Sequence, residues 1–134
     1  MQYKLTNLST ARELLERHGI HLRREYGQNF LVNADVPARI AESCGAGEED
    51  GVLEIGPGIG TLTVELASLY NKIVAVEIDG ALLPVLSETL ADFPNTTVVH
   101  ADIMTSSLPA LIEEHFGDMT VHVCANLPYY ITTP

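Results

Sequence analysis

The sequence predicts an α/β domain built on a mostly parallel sheet. From residue 52 onward, short apolar runs of strand length alternate with longer stretches of helix length. These runs are apolar on both faces, which is typical of parallel strands covered by helices on either side. A turn with glycine at every second position, residues 56–60, follows the first run directly. Strand, glycine turn and helix in this order begin a nucleotide-binding βαβ unit.

The elements of this domain follow from the pattern in chain order. The first helix is bounded by its glycine turn, and Pro84 falls near the start of the second helix, where proline is tolerated. The predicted elements are strand 52–55, helix 60–70, strand 73–77, helix 80–91, strand 97–99, helix 107–116 and strand 120–125.

Two helices are predicted before the sheet, in an N-terminal arm of residues 1–45. Thr10 and Glu13 fit a capping box for a helix that ends at Gly19. Such a short helix is unstable alone and must pack on the rest of the chain. A second helix, capped by Asn33 or Asp35, is expected to run to about residue 44.

Composition and charge limit the classes of protein to consider. The hydrophobic content of 46% in 134 residues excludes disorder, and no apolar run reaches the ~20 residues that span a bilayer. The N-terminus has no apolar signal-peptide core, and Cys44 and Cys124 are far apart in sequence. We therefore expect a cytoplasmic protein with reduced thiols, no membrane segment and no metal site. The net charge is −11, yet residues 1–39 of the arm hold six basic and four acidic residues, a surplus compatible with local phosphate contacts. The alternative from charge alone is a solvated surface helix.

The glycine turn favours one class of ligand. A dinucleotide fingerprint would have its third glycine at position 61, but Thr61 stands there and Gly60 comes one residue early. The order Glu54-x-Gly56-x-Gly58-x-Gly60 resembles the first motif of S-adenosylmethionine (SAM) methyltransferases. SAM carries a sulfonium cation and an amino-acid tail, so acidic side chains near the turn fit it.

Acidic residues after the next two strands fit the adenosine part of SAM. Glu77 closes the second strand, 21 residues after Gly56, where a carboxylate can accept both ribose hydroxyls. The alternative is that Glu77 only caps the helix near residue 80. Asp102 follows the third strand and suits the adenine amino group, with Ile78 and Ile103 as apolar walls. Taken alone, Asp102 is more often a helix or turn cap.

The loop after the fourth strand carries the predicted chemistry. Asn126-Leu127-Pro128-Tyr129 is of the (Asp/Asn)-Pro-Pro-Tyr type, which suits methyl transfer to an amide or exocyclic amine nitrogen. The lone pair of that nitrogen is delocalised, so acceptors at Asn126 and the Leu127 or Pro128 carbonyl would bind its N–H groups. Tyr129 offers a face on which a base can stack, a contact worth ~1–3 kcal/mol. The alternative is a plain turn.

These motifs, together with Gly27-Gln28-Asn29-Phe30-Leu31, resemble in order and spacing those of the ribosomal RNA adenine dimethyltransferases, over roughly residues 10–134. The match is closest to the bacterial type that dimethylates N6 of two adjacent adenines near the 3′ end of 16S rRNA. The resemblance implies a Rossmann-like class I SAM-dependent methyltransferase fold, with the small ribosomal subunit as partner. It also implies SAM-binding roles for Asn29, Leu31, Gly56, Gly58, Glu77, Ile78, Asp102, Ile103 and Asn126, and catalytic roles for Asn126, Leu127, Pro128 and Tyr129.

The resemblance has departures and leaves alternatives open. Relatives that methylate 23S rRNA tend to have isoleucine at position 127 and lysine at position 59, whereas this chain has Leu127 and Ile59. Tyr130 stands where the family often has asparagine. The chain ends after the fourth strand, so we expect a partial SAM-binding domain (residues 46–134), without a C-terminal helical domain and inactive alone. Its strand 121–125 would expose an edge for self-association. A non-catalytic binding module, a 23S rRNA enzyme and, more distantly, a protein glutamine methyltransferase are the alternatives.

Overall fold

The centre of the fold is a parallel four-stranded sheet, which confirms the predicted α/β class. The computed structural model describes residues 8–20, 35–45 and 47–125. Its strands are β1 (Gly51–Ile55), β2 (Lys72–Glu77), β3 (Thr96–His100) and β4 (Val121–Ala125). They lie in the order β3-β2-β1-β4, and every neighbouring pair is parallel. All four carboxyl ends therefore meet at one edge of the sheet.

Five α-helices lie in the described residues. They are α1 (Leu8–Arg17), α2 (Asp35–Glu42), α3 (Thr61–Leu69), α4 (Leu83–Thr89) and α5 (Leu108–Phe116). A 3-10 turn, Gly80–Leu82, precedes α4, because the Asp79 side chain caps the N–H of Ala81 and starts the helix with a tight turn.

Three boundary predictions were wrong in detail. Thr10 lies inside α1 and does not cap it, because the helix already includes Leu8. The helix expected over residues 80–91 is split into the 3-10 turn and α4, which ends at Thr89. The helix expected to reach residue 44 ends at Glu42, where a turn follows. Helix ends of this kind depend on tertiary contacts more than on local pattern.

Both faces of the sheet are covered, as the uninterrupted apolar strands predict. On one face, Leu53 of β1 and Val74 of β2 pack with Phe116 of α5. On the other, Val52 and Ile73 pack with helices α2 and α3. Full burial of an aliphatic side chain contributes ~1.5–3 kcal/mol, so these two layers fix β1 and β2 at the centre.

Helix α1 packs on α4 and on the glycine turn, as a helix unstable alone must. Leu14 and Leu15, both buried, contact a cluster that includes Ile59 of the turn and Val85 of α4. At the rim of this cluster, Glu88 accepts hydrogen bonds from the Arg17 guanidinium at 2.8 Å, and its carboxylate lies 2.9 Å from His18 Nε2. The apolar cluster attaches α1 to the turn that follows β1, and the contacts of Glu88 attach it to α4.

The topology places a binding crevice at the carboxyl edge beside β1. The chain leaves β1 toward β2 on one side, whereas β4 pairs with β1 on the other side. Ligands of open parallel sheets bind at such a switch point.

None of the helices in the described ranges has the length and apolar character to cross a membrane.

Candidate functional site

The glycine turn after β1 has the backbone shape that only glycine adopts without strain. Gly56, Gly58 and Gly60 have φ angles of 72°, 61° and 98°. The turn is fixed at both ends, because Gly56 N–H donates to the Val76 carbonyl at 3.0 Å and Gly60 N–H donates to the Pro57 carbonyl at 2.9 Å. A Cβ atom at Gly58 would meet no described atom within 4 Å, so the described residues leave the space above the middle of the turn open.

The Glu77 carboxylate stands beside this open space, at the end of β2. Its Oε1 accepts from Gly58 N–H at 3.1 Å and its Oε2 accepts from Asp79 N–H at 2.9 Å. The residue is only 5% exposed. The alternative that Glu77 caps the following helix does not describe this geometry, because Asp79 provides that cap. Two backbone N–H groups therefore orient the carboxylate toward the carboxyl edge.

A second carboxylate, Glu54 in β1, is fully buried on the α3 side of the sheet. The hydroxyl of Thr63 donates to its Oε1, while Oε2 has no hydrogen-bond partner in the described part of the chain. Burial raises the pKa of Glu54 from its usual 4.5 to about 7, the Thr63 bond opposes the shift, and Glu77 adds to it. An unpaired buried carboxylate oxygen is costly, which makes Glu54 suited to a cationic or donor-rich ligand nearby.

The side chains expected at the adenine ring lie in the loops that follow β2 and β3. Asp102 is half-buried, and its Oδ1 accepts from Met104 N–H at 2.9 Å, as in the turn-cap alternative. Its Oδ2 makes no hydrogen bond within the described residues and remains available to a ligand. Ile78 is 62% exposed, as a surface for a stacked ring requires. Ile103 is half-buried and packs partly on the core beneath α5.

Sequence reasoning missed three residues that shape this edge. Thr63 bonds to Glu54, as described above, and Thr89 of α4 donates to the Ile59 carbonyl in the glycine turn at 2.9 Å. His100, at the end of β3, has its Nε2 3.1 Å from the Ile78 carbonyl, so that nitrogen carries the proton and donates. Side-chain to backbone contacts between distant segments have no periodic signature, so the sequence alone gives no signal for them.

Several predicted site residues lie outside the residues that the structure describes. They are Asn29 and Leu31 of the arm and the loop residues Asn126, Leu127, Pro128 and Tyr129. β4 pairs with β1 up to Ala125, opposite Ile55. β4 therefore ends at the same edge of the sheet at which the glycine turn begins.

The described residues form no metal site, and their two cysteines lie against the same apolar cluster. No three histidine, cysteine or acidic side chains in residues 8–20, 35–45 and 47–125 are placed to share a metal ion. Cys44 and Cys124 are free thiols, and burial raises the pKa of Cys124 to about 11. The concentration of carboxylates at the edge is instead suited to an organic cation with hydroxyl groups.

Comparison with known proteins agrees with this geometry. The sequence model of the family described as "Ribosomal RNA adenine dimethylase" matches residues 19–134. A protein of Shouchella clausii named ribosomal RNA small subunit methyltransferase A is 48% identical over 122 residues, which cover 90% of this chain and 41% of the relative. A protein of the same name from Ligilactobacillus salivarius is 46% identical over 98% of this chain and 45% of its own length. The chain thus spans less than half the length of these relatives.

Solved structures give the same fold. A dimethyladenosine transferase from Plasmodium falciparum superposes with a TM-score of 0.58 at 27% identity, covering 75% of this chain and 34% of that one. The 23S rRNA methyltransferase ErmE superposes with a TM-score of 0.54 at 29% identity, covering 72% of this chain and 48% of that one. The family match covers well over half of the sequence, and the chain belongs to the ribosomal RNA adenine dimethylase family.

Proposed function

We propose that residues 1–134 form the SAM-binding part of an enzyme that dimethylates N6 of adenines in small-subunit ribosomal RNA. The observation that carries the proposal is the Glu77 carboxylate, held by Gly58 and Asp79 N–H groups beside an open glycine turn. A buried, oriented carboxylate at this position is suited to accept the two ribose hydroxyls of an adenosine.

In this proposal SAM lies along the carboxyl edge of the sheet. Glu77 binds the ribose, and Asp102 and the exposed Ile78 receive the adenine, with Ile103 beneath. Gly56 and Gly58 line the methionine end, with open space on the side-chain side of Gly58, and the carboxylates of Glu54 and Glu77 favour a cation there. Asn29 and Leu31 of the arm close over that end of the cofactor in this proposal.

The catalytic step requires positioning more than a strong base. SAM supplies an electrophilic methyl group when bound. The Asn126 oxygen and the carbonyl of Leu127 or Pro128 accept hydrogen bonds from the adenine amino group, and Tyr129 stacks on the base. Because this holds the nitrogen lone pair toward the edge of β1 and β4, catalysis comes from orientation and electrostatics.

The small subunit is the favoured partner. The support for this is that the relatives named small subunit methyltransferase A are 43–48% identical to this chain, whereas the 23S rRNA methyltransferase ErmE has a related structure. The second candidate is therefore methylation of 23S rRNA. The surplus of basic residues within residues 1–39 of the arm is suited to the RNA backbone, and a partner of this kind agrees with a cytoplasmic location.

Methyl transfer tests the activity. The chain is assayed alone and fused to the C-terminal part of the Shouchella clausii relative, with labelled SAM and under-methylated small subunits. We expect label in 16S rRNA for the fusion and loss of that label for its Asn126→Ala variant. Label in 23S rRNA would favour the second candidate, and an inactive fusion that binds SAM and small subunits would favour a non-catalytic binding module.

We also propose that the 134-residue chain self-associates through β4. Within the described residues β4 has a strand on one side only, and its Val123 is 49% exposed. Free strand edges with apolar side chains pair readily. We expect the mass measured by light scattering to rise with concentration, and to rise less for Val123→Lys. A monomeric mass at every concentration would contradict the proposal.

A further inference from the structure

The glycine turn is packed against the core on one face, in addition to the hydrogen bonds at its two ends. Ile59, between Gly58 and Gly60, is 2% exposed and packs between α1 and α4. Its side chain contacts the cluster that contains Leu14 of α1 and Val85 of α4. The face of the turn opposite to the open space at Gly58 is therefore part of the core.

A polar contact accompanies this packing. Thr89, the last residue of α4, is 3% exposed, and its hydroxyl donates to the Ile59 carbonyl at 2.9 Å. No backbone N–H in the described residues donates to that carbonyl. The hydroxyl also has an acceptor in its own helix, the Leu86 carbonyl, but at 3.5 Å. A hydroxyl has one proton to donate, and the shorter contact goes to the turn.

The same contact accounts for the position of the third glycine. A Cβ atom at Gly60 would lie 2.9 Å from Thr89 Oγ1 and 3.4 Å from Leu90 Cδ2. The Gly60 backbone approaches α4 too closely for any side chain, in addition to its φ of 98°. Gly60 and Thr89 therefore form one unit, in which the glycine lets the helix approach and the threonine hydroxyl fixes the approach.

We propose that Thr89 is a positioning residue for cofactor binding. By holding the Ile59 carbonyl, it fixes the Ile59–Gly60 peptide unit, whose N–H donates to the Pro57 carbonyl at 2.9 Å. The Pro57–Gly58 peptide unit held in this way carries the Gly58 N–H that orients Glu77 Oε1 at 3.1 Å. Thr89 touches no ligand and acts through the turn. The inference rests on the proposed SAM site, and it adds a residue from the opposite side of the turn to that site.

Titration with SAM by calorimetry tests the inference, with three variants. Thr89→Val replaces the hydroxyl by a methyl group of similar size, and Thr89→Ser retains the hydroxyl. Phe116→Leu perturbs the core beneath the opposite end of β1, away from the turn. We expect Thr89→Val to weaken SAM binding roughly five- to tenfold, as for loss of one hydrogen bond. Thr89→Ser and Phe116→Leu should bind within about twofold of the unchanged chain on the same scale.

Two outcomes overturn the inference. One is unchanged SAM affinity in Thr89→Val. The other is that Phe116→Leu loses as much SAM affinity, for each degree by which its unfolding midpoint falls, as Thr89→Val does. Thr89 would then affect binding only through the stability of the fold.

Hydrogen exchange without SAM gives a readout that does not depend on the proposed function. Gly58 N–H and Gly60 N–H are both hydrogen-bonded in the turn. We expect both to exchange faster in Thr89→Val and at the original rate in Thr89→Ser and Phe116→Leu. Unchanged exchange in Thr89→Val would overturn the positioning role. If the unchanged chain fails to bind SAM, the proposed cofactor site fails, and the exchange rates alone decide the role of Thr89.

Discussion

Gly58 and Glu77 are joined across the carboxyl edge of the sheet by a hydrogen bond of 3.1 Å from backbone N–H to carboxylate. They lie 19 residues apart, Gly58 in the turn after β1 and Glu77 at the end of the neighbouring parallel strand β2. Gly58 itself is in the left-handed conformation, with a φ of 61°. The hydrogen bond links the residue that leaves space for a ligand to the residue that would bind its ribose.

Alanine at two positions of the turn should separate stability from binding. Gly60→Ala should lower the free energy of unfolding by ~2–4 kcal/mol, because strain at positive φ adds to the collision with Thr89. Gly58→Ala should cost only ~1–2 kcal/mol, because its Cβ enters open space. Gly58→Ala should nevertheless lose SAM, since its methyl group occupies the ligand's approach.

Denaturant unfolding and SAM titration of both glycine variants provide the check. A Gly58→Ala variant that binds SAM as tightly as the unchanged chain would show that the open space is not the ligand site.

Glu54 should make the stability of the ligand-free chain depend on pH. The folded pKa of about 7 lies above the usual 4.5, so the folded state binds the proton more tightly. The contribution of Glu54 to the free energy of unfolding is therefore fully present below pH 4.5 and falls as the pH rises toward 7. Above pH 7 this contribution is lost. A shift of this size corresponds to about 3 kcal/mol.

Comparison with Glu54→Gln isolates this effect, because glutamine keeps the acceptor for Thr63 and does not titrate. Urea unfolding from pH 4.5 to 8 should show the unchanged chain losing about 3 kcal/mol relative to the variant. Parallel stability profiles for the two proteins would mean that Glu54 is not the buried acid described above.

The docking of α1 should depend on its apolar contacts more than on its ion pair. Leu14 is 1% exposed, and Leu14→Ala should lower the free energy of unfolding by ~2–5 kcal/mol through the cavity it leaves. Glu88→Gln weakens the contacts with Arg17 and His18 at the rim, where the Arg17 side chain is 49% exposed, and should cost ~1 kcal/mol or less. Circular dichroism during denaturation measures both. A larger loss for Glu88→Gln would reverse this order.

The parts of the fold that the sequence predicts well are those with a periodic or steric signature. Apolar runs predict all four described strands to within one residue at most ends, and the alternation of glycines locates the turn at residues 56–60. The spacing of Glu77 from Gly56 predicts a carboxylate at the carboxyl edge, where the structure has it. Each of these signals is local, so one sequence is enough to read it.

The parts that the sequence does not predict depend on contacts between distant segments. The bond from Thr89 to the Ile59 carbonyl joins residues 30 positions apart, and nothing in the pattern of α4 distinguishes Thr89 from an ordinary helix-end threonine. The contact between His100 and the Ile78 carbonyl also joins distant positions and has no sequence signature. Thr10 shows the opposite error, because a good local capping pattern was overridden by a helix that begins earlier.

The most direct test of the SAM half-site is calorimetric titration of the 134-residue chain with SAM, beside Glu77→Gln and Glu113→Gln. Glutamine at 77 keeps the size of the side chain but loses an acceptor and the charge. Glu113→Gln makes the same charge change on the exposed surface of α5. The account predicts binding by the unchanged chain and by Glu113→Gln, and a loss of at least about tenfold in Glu77→Gln, as expected for a charged hydrogen bond. Equal affinity in all three proteins would contradict the assignment of Glu77 as the ribose carboxylate.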